Sequence, residues 1–337
     1  MRWLLVLDLY QMLTAGLRGS LLVPPRTTAD PATIGAVTVA VLAVSTSGPM
    51  IAYAAAPALA IAFWRNAMAV GALAPVALVQ RRAELAALTR GNGRRAGLFC
   101  VLAGVALSAH FAAWVPSTKL TSIATAAALV ATQPVWQGLI AVVQGRRLPR
   151  LTWLGIAVAV LGAAVATGAD VTASGAAVFG DVLALLGALA AAVYVALGEQ
   201  ARTTTSTTSY TAVCYTVCAV LLLVVCLVWR LPLGGYPATA WLALVGITVG
   251  PQLLGHSLFN FALRRMAATT MSVLGLLEVP GAALIGWLWL GQVPRRLAWP
   301  GLALLLLGVG IVVLARRRER ETEPVPLAEP EADVITL

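Results

Sequence analysis

The sequence predicts an all-helical membrane protein with ten transmembrane helices, arranged as two inverted five-helix repeats with both termini in the cytoplasm. Three observations lead to this prediction: the share of apolar residues, the number of long apolar runs, and the placement of arginine between them. Of the 337 residues, 60% are hydrophobic and 11% are charged, whereas a soluble domain carries about 25% charged residues. This composition excludes a soluble globular protein and a disordered one.

Ten apolar runs have the length of a bilayer-crossing helix, which needs about 20 residues. The predicted limits are 33–55, 57–79, 96–116, 121–143, 151–168, 177–198, 209–229, 239–262, 267–290 and 297–315. The connections between the runs are short, so we expect one helical bundle without a soluble domain.

The basic residues test this count. With a cytoplasmic N-terminus, 18 of the 23 Lys and Arg residues fall inside, four fall outside, and Arg65 lies within a span. Cytoplasmic loops carry an excess of Lys and Arg, which supports ten spans with both termini inside. The net charge of +10 is divided among short loop clusters, which argues against a nucleic-acid partner.

The two ends of the chain are predicted to lie outside the repeats. Residues 1–32 are interpreted as an amphipathic extension or as the product of a start site placed too early. Residues 316–337 begin basic, turn acidic and contain proline, which is typical of a disordered cytoplasmic tail.

An internal repeat relates the two halves, predicted at 33–168 and 177–315. A shift of 146 residues aligns His110 with His256, Pro134 with Pro280 and Trp153 with Trp299. Because five is an odd number, two related halves with five spans each must insert in opposite orientations. Inverted repeats are common in secondary transporters, which bind substrate between the halves. Glycines spaced by seven residues predict close helix packing: Gly155, Gly162, Gly180, Gly187, Gly301 and Gly308.

Several of the apolar runs contain motifs built around proline or glycine. The second span begins AAAPALAIAFWRNAMAVGAL, and the fourth and ninth contain ALVATQPVWQGLIAVVQGRR and SVLGLLEVPGAALIGWLWLGQ. The sixth contains Gly180-Asp181, and the last reads WPGLALLLLGVGIVVL. Together these segments resemble the EamA family of the drug/metabolite transporter superfamily. The resemblance covers residues 33–315 and implies a ten-helix transporter of drugs or of small metabolites such as amino acids. The family's acidic residue after Leu-Gly is replaced by Arg146 and Gln292.

Four ionisable residues lie well inside the predicted spans, where such groups are costly and usually functional. Glu278 could carry a proton, bind a substrate amine or form a structural hydrogen bond. Arg65 could bind a substrate carboxylate, pair with Glu278 or extend to the interface. His110 and His256 could form a gate or a proton path on opposite sides of the midplane, or serve packing. These four are the candidate substrate-binding or coupling residues.

Further polar and aromatic residues could line a cavity between the halves. Thr132 is the repeat mate of Glu278, and Gln133 precedes a proline that frees a backbone carbonyl. For Trp114 the interfacial aromatic belt is favoured. Asp181 and Glu199 are expected at span ends within reach of water. The cavity-lining candidates are Trp64, Trp114, Asn260, Gln133, Gln137, Thr132, Tyr53 and Tyr194.

We therefore expect a secondary active transporter in the cytoplasmic membrane of a bacterium, working by alternating access, with export as the expected direction and protons as the candidate coupling ion. The expected partners are a small-molecule substrate and membrane lipid, with no cofactor or metal. A membrane receptor or scaffold, a channel and a membrane-embedded enzyme remain alternatives. No nucleophile, metal or phosphate-binding motif supports an enzyme.

Overall fold

The computed structural model describes residues 30–121, 123–167, 175–290, 296 and 298–322. Every regular element in this part of the chain is helical. The helices are α1 (Pro31–Ser45), α2 (Ser47–Tyr53), α3 (Ala58–Gln80), α4 (Arg82–Ala87), α5 (Arg94–Leu120), α6 (Ile123–Val130), α7 (Gln133–Val143), α8 (Arg150–Thr167), α9 (Gly175–Ala201), α10 (Thr207–Val228), α11 (Ala238–Ile247), a π-helical segment (Thr248–His256), α12 (Ser257–Ala262), α13 (Ala268–Gly275), α14 (Glu278–Leu290) and α15 (Ala298–Thr322), with a 3₁₀ turn at Gly91–Gly93.

Over the described residues, nine helical segments are long and apolar enough to cross a membrane, and the apolar helix Arg150–Ala166 is shorter. These ten segments lie on the ten apolar runs of the sequence. The first begins at Pro31, where Asp30 accepts a 2.7 Å hydrogen bond from the Thr33 amide and so caps the helix. Residues 1–29, which contain most of the predicted N-terminal extension, lie outside the described part of the chain.

The last helix corrects one limit of the predicted tail. Helix α15 ends at Thr322, so residues 316–322 are helical where the sequence predicted disorder. Arg and Glu are good helix formers, and they extend the apolar helix past its membrane part. Residues 323–337 lie outside the described residues.

The fourth and ninth spans are both interrupted near a proline. The fourth breaks between Val130 and Gln133, and the ninth breaks between Gly275 and Glu278. Proline lacks an amide hydrogen and fits the first turn of a helix, so a new helix starts just before it in each span. Under the 146-residue shift the two breaks agree to within one residue. Interrupted helices at corresponding positions of two repeats are typical of transporter binding sites.

Helix packing follows the two-fold relation between the halves. Helix α5 packs along α9. The repeat mates of these two helices form the equivalent contact, in which the π-helical segment and α12 pack against α1. Helix α3 packs against its own repeat mate α10, and α8 packs against its own mate α15. Each half therefore packs mainly against the other half, and polar side chains of both halves meet at the shared interface.

The α8–α15 contact depends on glycine. A Cβ built on Gly155 would lie 2.9 Å from the carbonyl oxygen of Gly308, and one on Gly162 would lie 2.8 Å from that of Gly301. Distances this short between non-bonded atoms are excluded by sterics, so the two backbones approach closely only because these positions lack side chains. The close packing predicted from the seven-residue spacing is confirmed at this pair of helices.

The eighth span departs from its repeat mate. Between Thr248 and His256 it adopts a nine-residue π-helix that contains Pro251, whereas the corresponding part of α5 is a regular α-helix. Stretches of π-helix are rare and occur frequently at functional sites. This irregularity carries Gln252, whose side chain takes part in the cluster described next.

Candidate functional site

Arg65 is the centre of a buried polar cluster. Its side chain is only 1% exposed, and its Nε donates a 2.8 Å hydrogen bond to Oε1 of Gln252. Nε2 of Gln252 donates in turn to Oδ1 of Asn66 at 3.1 Å, and Nδ2 of Asn66 donates to the carbonyl of Ala62 at 2.9 Å. The chain of bonds joins α3 in one half to the π-helical segment in the other. Arg65 is thus held inside the bundle and does not extend to the surface.

The outer edge of the guanidinium is free. Nη1 and Nη2 of Arg65 are buried and have no hydrogen-bond partner among the described residues. One face of the guanidinium lies over the ring of Phe111, with Cζ 4.3 Å from the ring centroid, which supplies cation–π attraction. A buried charged donor without a partner costs more than the roughly 1–3 kcal/mol of a neutral one, so this edge is suited to an anionic group.

Glu278 lies close to this cluster without joining it. It is the first residue of α14, where the helix dipole favours negative charge, and its carbonyl accepts a hydrogen bond from the Ser45 hydroxyl at 3.3 Å. Its charge interacts with that of Arg65. The two side chains do not form an ion pair, since both Nη atoms of Arg65 lack a partner. The direct pairing considered from the sequence is therefore not present.

The two histidines flank one aromatic ring. His110 has its ring centroid 5.0 Å from that of Phe111, and His256 has its centroid 5.5 Å from Phe111 on α5. Nδ1 of His110 is 2.9 Å from the carbonyl oxygen of Gly187. A carbonyl can only accept, so this nitrogen carries the proton. The repeat mates thus belong to one continuous group of rings next to Arg65.

Hydroxyl and amide groups extend the cluster along α9, α10 and α12. Tyr194 and Asn260 exchange hydrogen bonds of 2.7 and 2.9 Å, and both residues are buried. The Tyr215 hydroxyl lies 3.1 Å from that of Ser257. Tyr194 also lies against His256, with ring centroids 6.1 Å apart. Two of the predicted lining residues, Tyr194 and Asn260, therefore do belong to the buried interface.

Three further predicted lining residues make contacts of other kinds. Trp114 stacks on His110 at 5.9 Å with nearly parallel rings, because Gly187 leaves room for it. The interfacial position favoured from the sequence stays a prediction. Nε1 of Trp64 donates to the carbonyl of Leu233 at 2.9 Å, and its ring contacts Trp241, so Trp64 holds a loop. Tyr53 is 68% exposed and does not line the cluster.

The remaining candidates surround the break in the fourth span. Thr132 donates to the carbonyl of Leu129 at 2.6 Å and so satisfies its hydroxyl within the break. Gln133 opens α7 and is partly buried. Gln137 is 2% exposed and its Oε1 has no hydrogen-bond partner among the described residues. Within the described part of the chain, no hydrogen bond joins these three residues to Arg65 or Gln252.

Sequence reasoning missed Gln252, Asn66, Phe111 and Tyr215. The amides carried a usable signal, because a buried amide in an apolar run needs partners. Gln252 is also adjacent to a proline, as Gln133 is: Gln252 follows Pro251, and Gln133 precedes Pro134. Phe111 and Tyr215 carried none, since aromatic residues in apolar spans are usually packing residues.

A second polar network connects the end of α9 to the start of α13. Glu199 is 1% exposed, pairs with Arg146 at 2.9 Å and accepts from the Ala268 amide at 3.2 Å. The expected access of water to Glu199 was wrong, because Arg146 and the start of α13 cover it. Arg202 donates to the carbonyls of Asn260 and Thr205, and burial lowers its pKa to about 10.

Glu84 completes this network. Its carboxylate accepts hydrogen bonds from the amide and the hydroxyl of Ser206, which caps α10. Partial burial of the Glu84 carboxyl raises its pKa, but these hydrogen bonds outweigh that effect, and the pKa falls below its ordinary value. A cavity of about 310 Å³ beside Leu85 and Leu88 is lined mainly by apolar residues and includes no member of the Arg65 cluster.

These features define a multi-pass membrane protein made of two related halves, with a buried arginine at their interface. A model of the EamA-like transporter family matches residues 32–168 and 178–314, and the chain belongs to this family. The starts of the two matched segments are 146 residues apart, which confirms the repeat found in the sequence. Members of the family are transporters, generally of small substrates, and not enzymes.

Solved structures share the fold. Of 29 matching chains, one described as "Crystal structure of protein" has a TM-score of 0.71 at 20% identity, and the match covers 87% of this chain and 100% of that chain. At this identity the likeness supports the fold alone. A comparison with curated proteins finds no match.

Proposed function

We propose that the protein is a secondary active transporter that moves small metabolites or drugs across the bacterial cytoplasmic membrane by alternating access. In this proposal the ten helical segments all span the membrane, both termini are cytoplasmic, and the halves at 33–168 and 177–315 exchange roles. The excess of Arg in the loops assigned to the cytoplasm supports this orientation. Export is the proposed direction.

One observation carries the proposal: a charged side chain with a free hydrogen-bonding edge is buried where the two halves meet. Arg65 comes from the first half, and Gln252, which holds it, comes from the second. A receptor or scaffold does not require this arrangement. In an alternating-access transporter, relative movement of the halves alters the surroundings of such a group and exposes it to each side in turn.

Glu278 is the proposed coupling residue. It lies at an interrupted helix and within electrostatic reach of Arg65. A proton taken up or released there changes the charge of the cluster. His110 and His256 adjoin the same cluster and would provide a path for the proton.

Metabolite profiling tests the function first. Cells expressing the wild-type protein are compared with cells expressing Glu278→Gln, and compounds enriched in the medium only by the wild type identify the exported substrate. In liposomes, we expect Glu278→Gln to retain substrate exchange and to lose accumulation driven by a pH gradient. Asp30→Asn, at the exposed start of α1, is the control and should behave as the wild type.

The outcomes separate the alternatives. Uphill accumulation by Glu278→Gln at the wild-type rate would refute the coupling role. Flux that neither saturates nor shows counterflow would indicate a channel. Absence of flux for every solute identified in cells would favour a receptor or scaffold.

A further inference from the structure

We propose that Arg65 recognises a carboxylate group on the transported substrate and that Gln252 is the residue that positions its guanidinium for this task. The inference rests on the proposed transport function and names the substrate class. It is carried by the free edge of a guanidinium that is held at Nε by Gln252 and over one face by Phe111.

The contacts of the Arg65 guanidinium determine which of its N–H groups can bind a ligand. Gln252 occupies Nε, and Phe111 covers one face. What remains is the pair Nη1 and Nη2, which are buried and have no partner among the described residues. Two parallel N–H groups match the two oxygens of a planar carboxylate, and such bidentate pairs are stronger and more directional than single hydrogen bonds.

The charge of the cluster selects a monoanion. Arg65 is the cation that the described cluster contains, so the cluster can neutralise one negative charge on a ligand. A phosphate monoester would bring up to two negative charges into a buried site with one cation, where desolvation is costly. A carboxylate brings one charge and is neutralised by the arginine.

Gln252 acts through Arg65. Its amide oxygen accepts from Nε, while its amide nitrogen is fixed by Asn66, so the amide cannot flip without breaking both bonds. Without this support the guanidinium would rotate over Phe111, and the two Nη groups would no longer point in a fixed direction. Gln252 is thus a positioning residue whose loss should lower selectivity for a carboxylate.

Binding to the purified full-length protein tests the inference. The probes are simple organic acids (acetate to 3-phenylpropionate) and the standard amino acids, each paired with its primary amide, which keeps the shape and removes the charge. Affinity is measured from quenching of tryptophan fluorescence. We expect the best acid to bind at least about 100-fold more tightly than its amide, since a site built for a charged group rejects analogues that lack it.

The two sources of a carboxylate are distinguished by the same panel. Tighter binding of 3-phenylpropionate than of phenylalanine indicates a simple acid, and the reverse indicates a zwitterion whose ammonium faces Glu278. Equal affinity of acids and amides, or failure of every acid to bind, would overturn the inference.

Variants locate the selectivity. We expect Arg65→Lys and Gln252→Leu each to reduce the ratio of acid to amide affinity by about tenfold or more. A lysine lacks the two parallel N–H groups that bind a carboxylate. Gln252→Leu removes the hydrogen bond that holds the Arg65 guanidinium in one orientation. A merely structural defect would lower both affinities and leave the ratio unchanged. Arg202→Lys is the matched control, since Arg202 is also buried at 2% exposure but donates its hydrogen bonds to Asn260, Thr205 and Thr207 and not to Gln252.

Failure of this inference is distinguishable from failure of the transport function. If the protein transports a solute in liposomes and no organic acid inhibits this transport, the transport function is supported and carboxylate recognition is refuted. Selective binding of an acid that is never transported would support the site and refute transport.

Discussion

The contact between α8 and α15 allows a sharp test of the fold, because two glycines on one helix differ only in their surroundings. A Cβ built on Gly308 would lie 2.6 Å from Cα and 2.7 Å from Cβ of Ala159 in α8. A Cβ built on Gly310, two residues further along α15, would meet no atom within 4 Å among the described residues. The substitutions Gly308→Ala and Gly310→Ala therefore add the same methyl group, which overlaps α8 in the first case and meets no neighbouring atom of the described residues in the second.

The expected magnitudes follow from these distances. Gly308→Ala forces two backbones apart, and overpacking of this kind costs about 1–3 kcal/mol. Gly310→Ala should change the free energy of unfolding by less than about 0.5 kcal/mol, as surface substitutions do. The usual gain from replacing a helical glycine is small here, since membrane helices are largely formed before they associate.

Thermal unfolding in detergent, followed by tryptophan fluorescence, measures the difference. We expect Gly308→Ala to lower Tm by several degrees and Gly310→Ala to leave it unchanged. Gly162→Ala, on the facing helix, should resemble Gly308→Ala, because its Cβ would overlap the backbone of Leu305. If Gly308→Ala and Gly310→Ala unfold at the same temperature, the close approach of α8 and α15 is refuted.

Two further predictions concern the polar network at the helix ends. Glu199→Gln removes the ion pair with Arg146, whose side chain is 33% exposed. We expect the free energy of unfolding to fall by about 1–3 kcal/mol, which is below the cost of breaking a fully buried pair, and a lower Tm measures this. Adding Arg146→Gln to this variant should lower Tm little further. The lowered pKa of Glu84 contributes stability that is complete above the ordinary value of 4.5 and is lost as the pH falls through the native pKa. Between pH 7 and pH 4, Tm should therefore fall further in the wild type than in Glu84→Gln, and equal falls would contradict the role of this carboxylate.

The sequence predicted the features that depend on local pattern. Helix positions follow from apolar runs, and the tight α8–α15 contact follows from glycines at seven-residue spacing. The breaks in the fourth and ninth spans follow from Pro134 and Pro280, because the loss of a backbone donor acts on the nearest turn. Each of these signals is contained within a few residues.

Features that depend on contacts between distant residues were not predicted. Gln252 is separated from Arg65 by 187 residues, and the sequence does not show which of several amides reaches the guanidinium. The sequence does not show that Trp114 stacks on His110, because this contact depends on the space that Gly187 leaves on another helix. Glu199 is near a helix end, where water would be expected, yet the start of α13 covers it.

The scaffold is symmetric, whereas the polar cluster is not. Under the 146-residue shift, Arg65 corresponds to Thr211, Gln252 to Ala106 and Glu278 to Thr132. The backbone contacts must occur twice if the halves are to exchange conformations, because each state uses the same packing in the opposite orientation. In the proposed transporter a charged group at the interface is shared by both states, so a second copy would add the cost of burying another charge without adding a binding site. A single copy of Arg65, with Glu278 nearby, is therefore the arrangement expected if one site serves both sides.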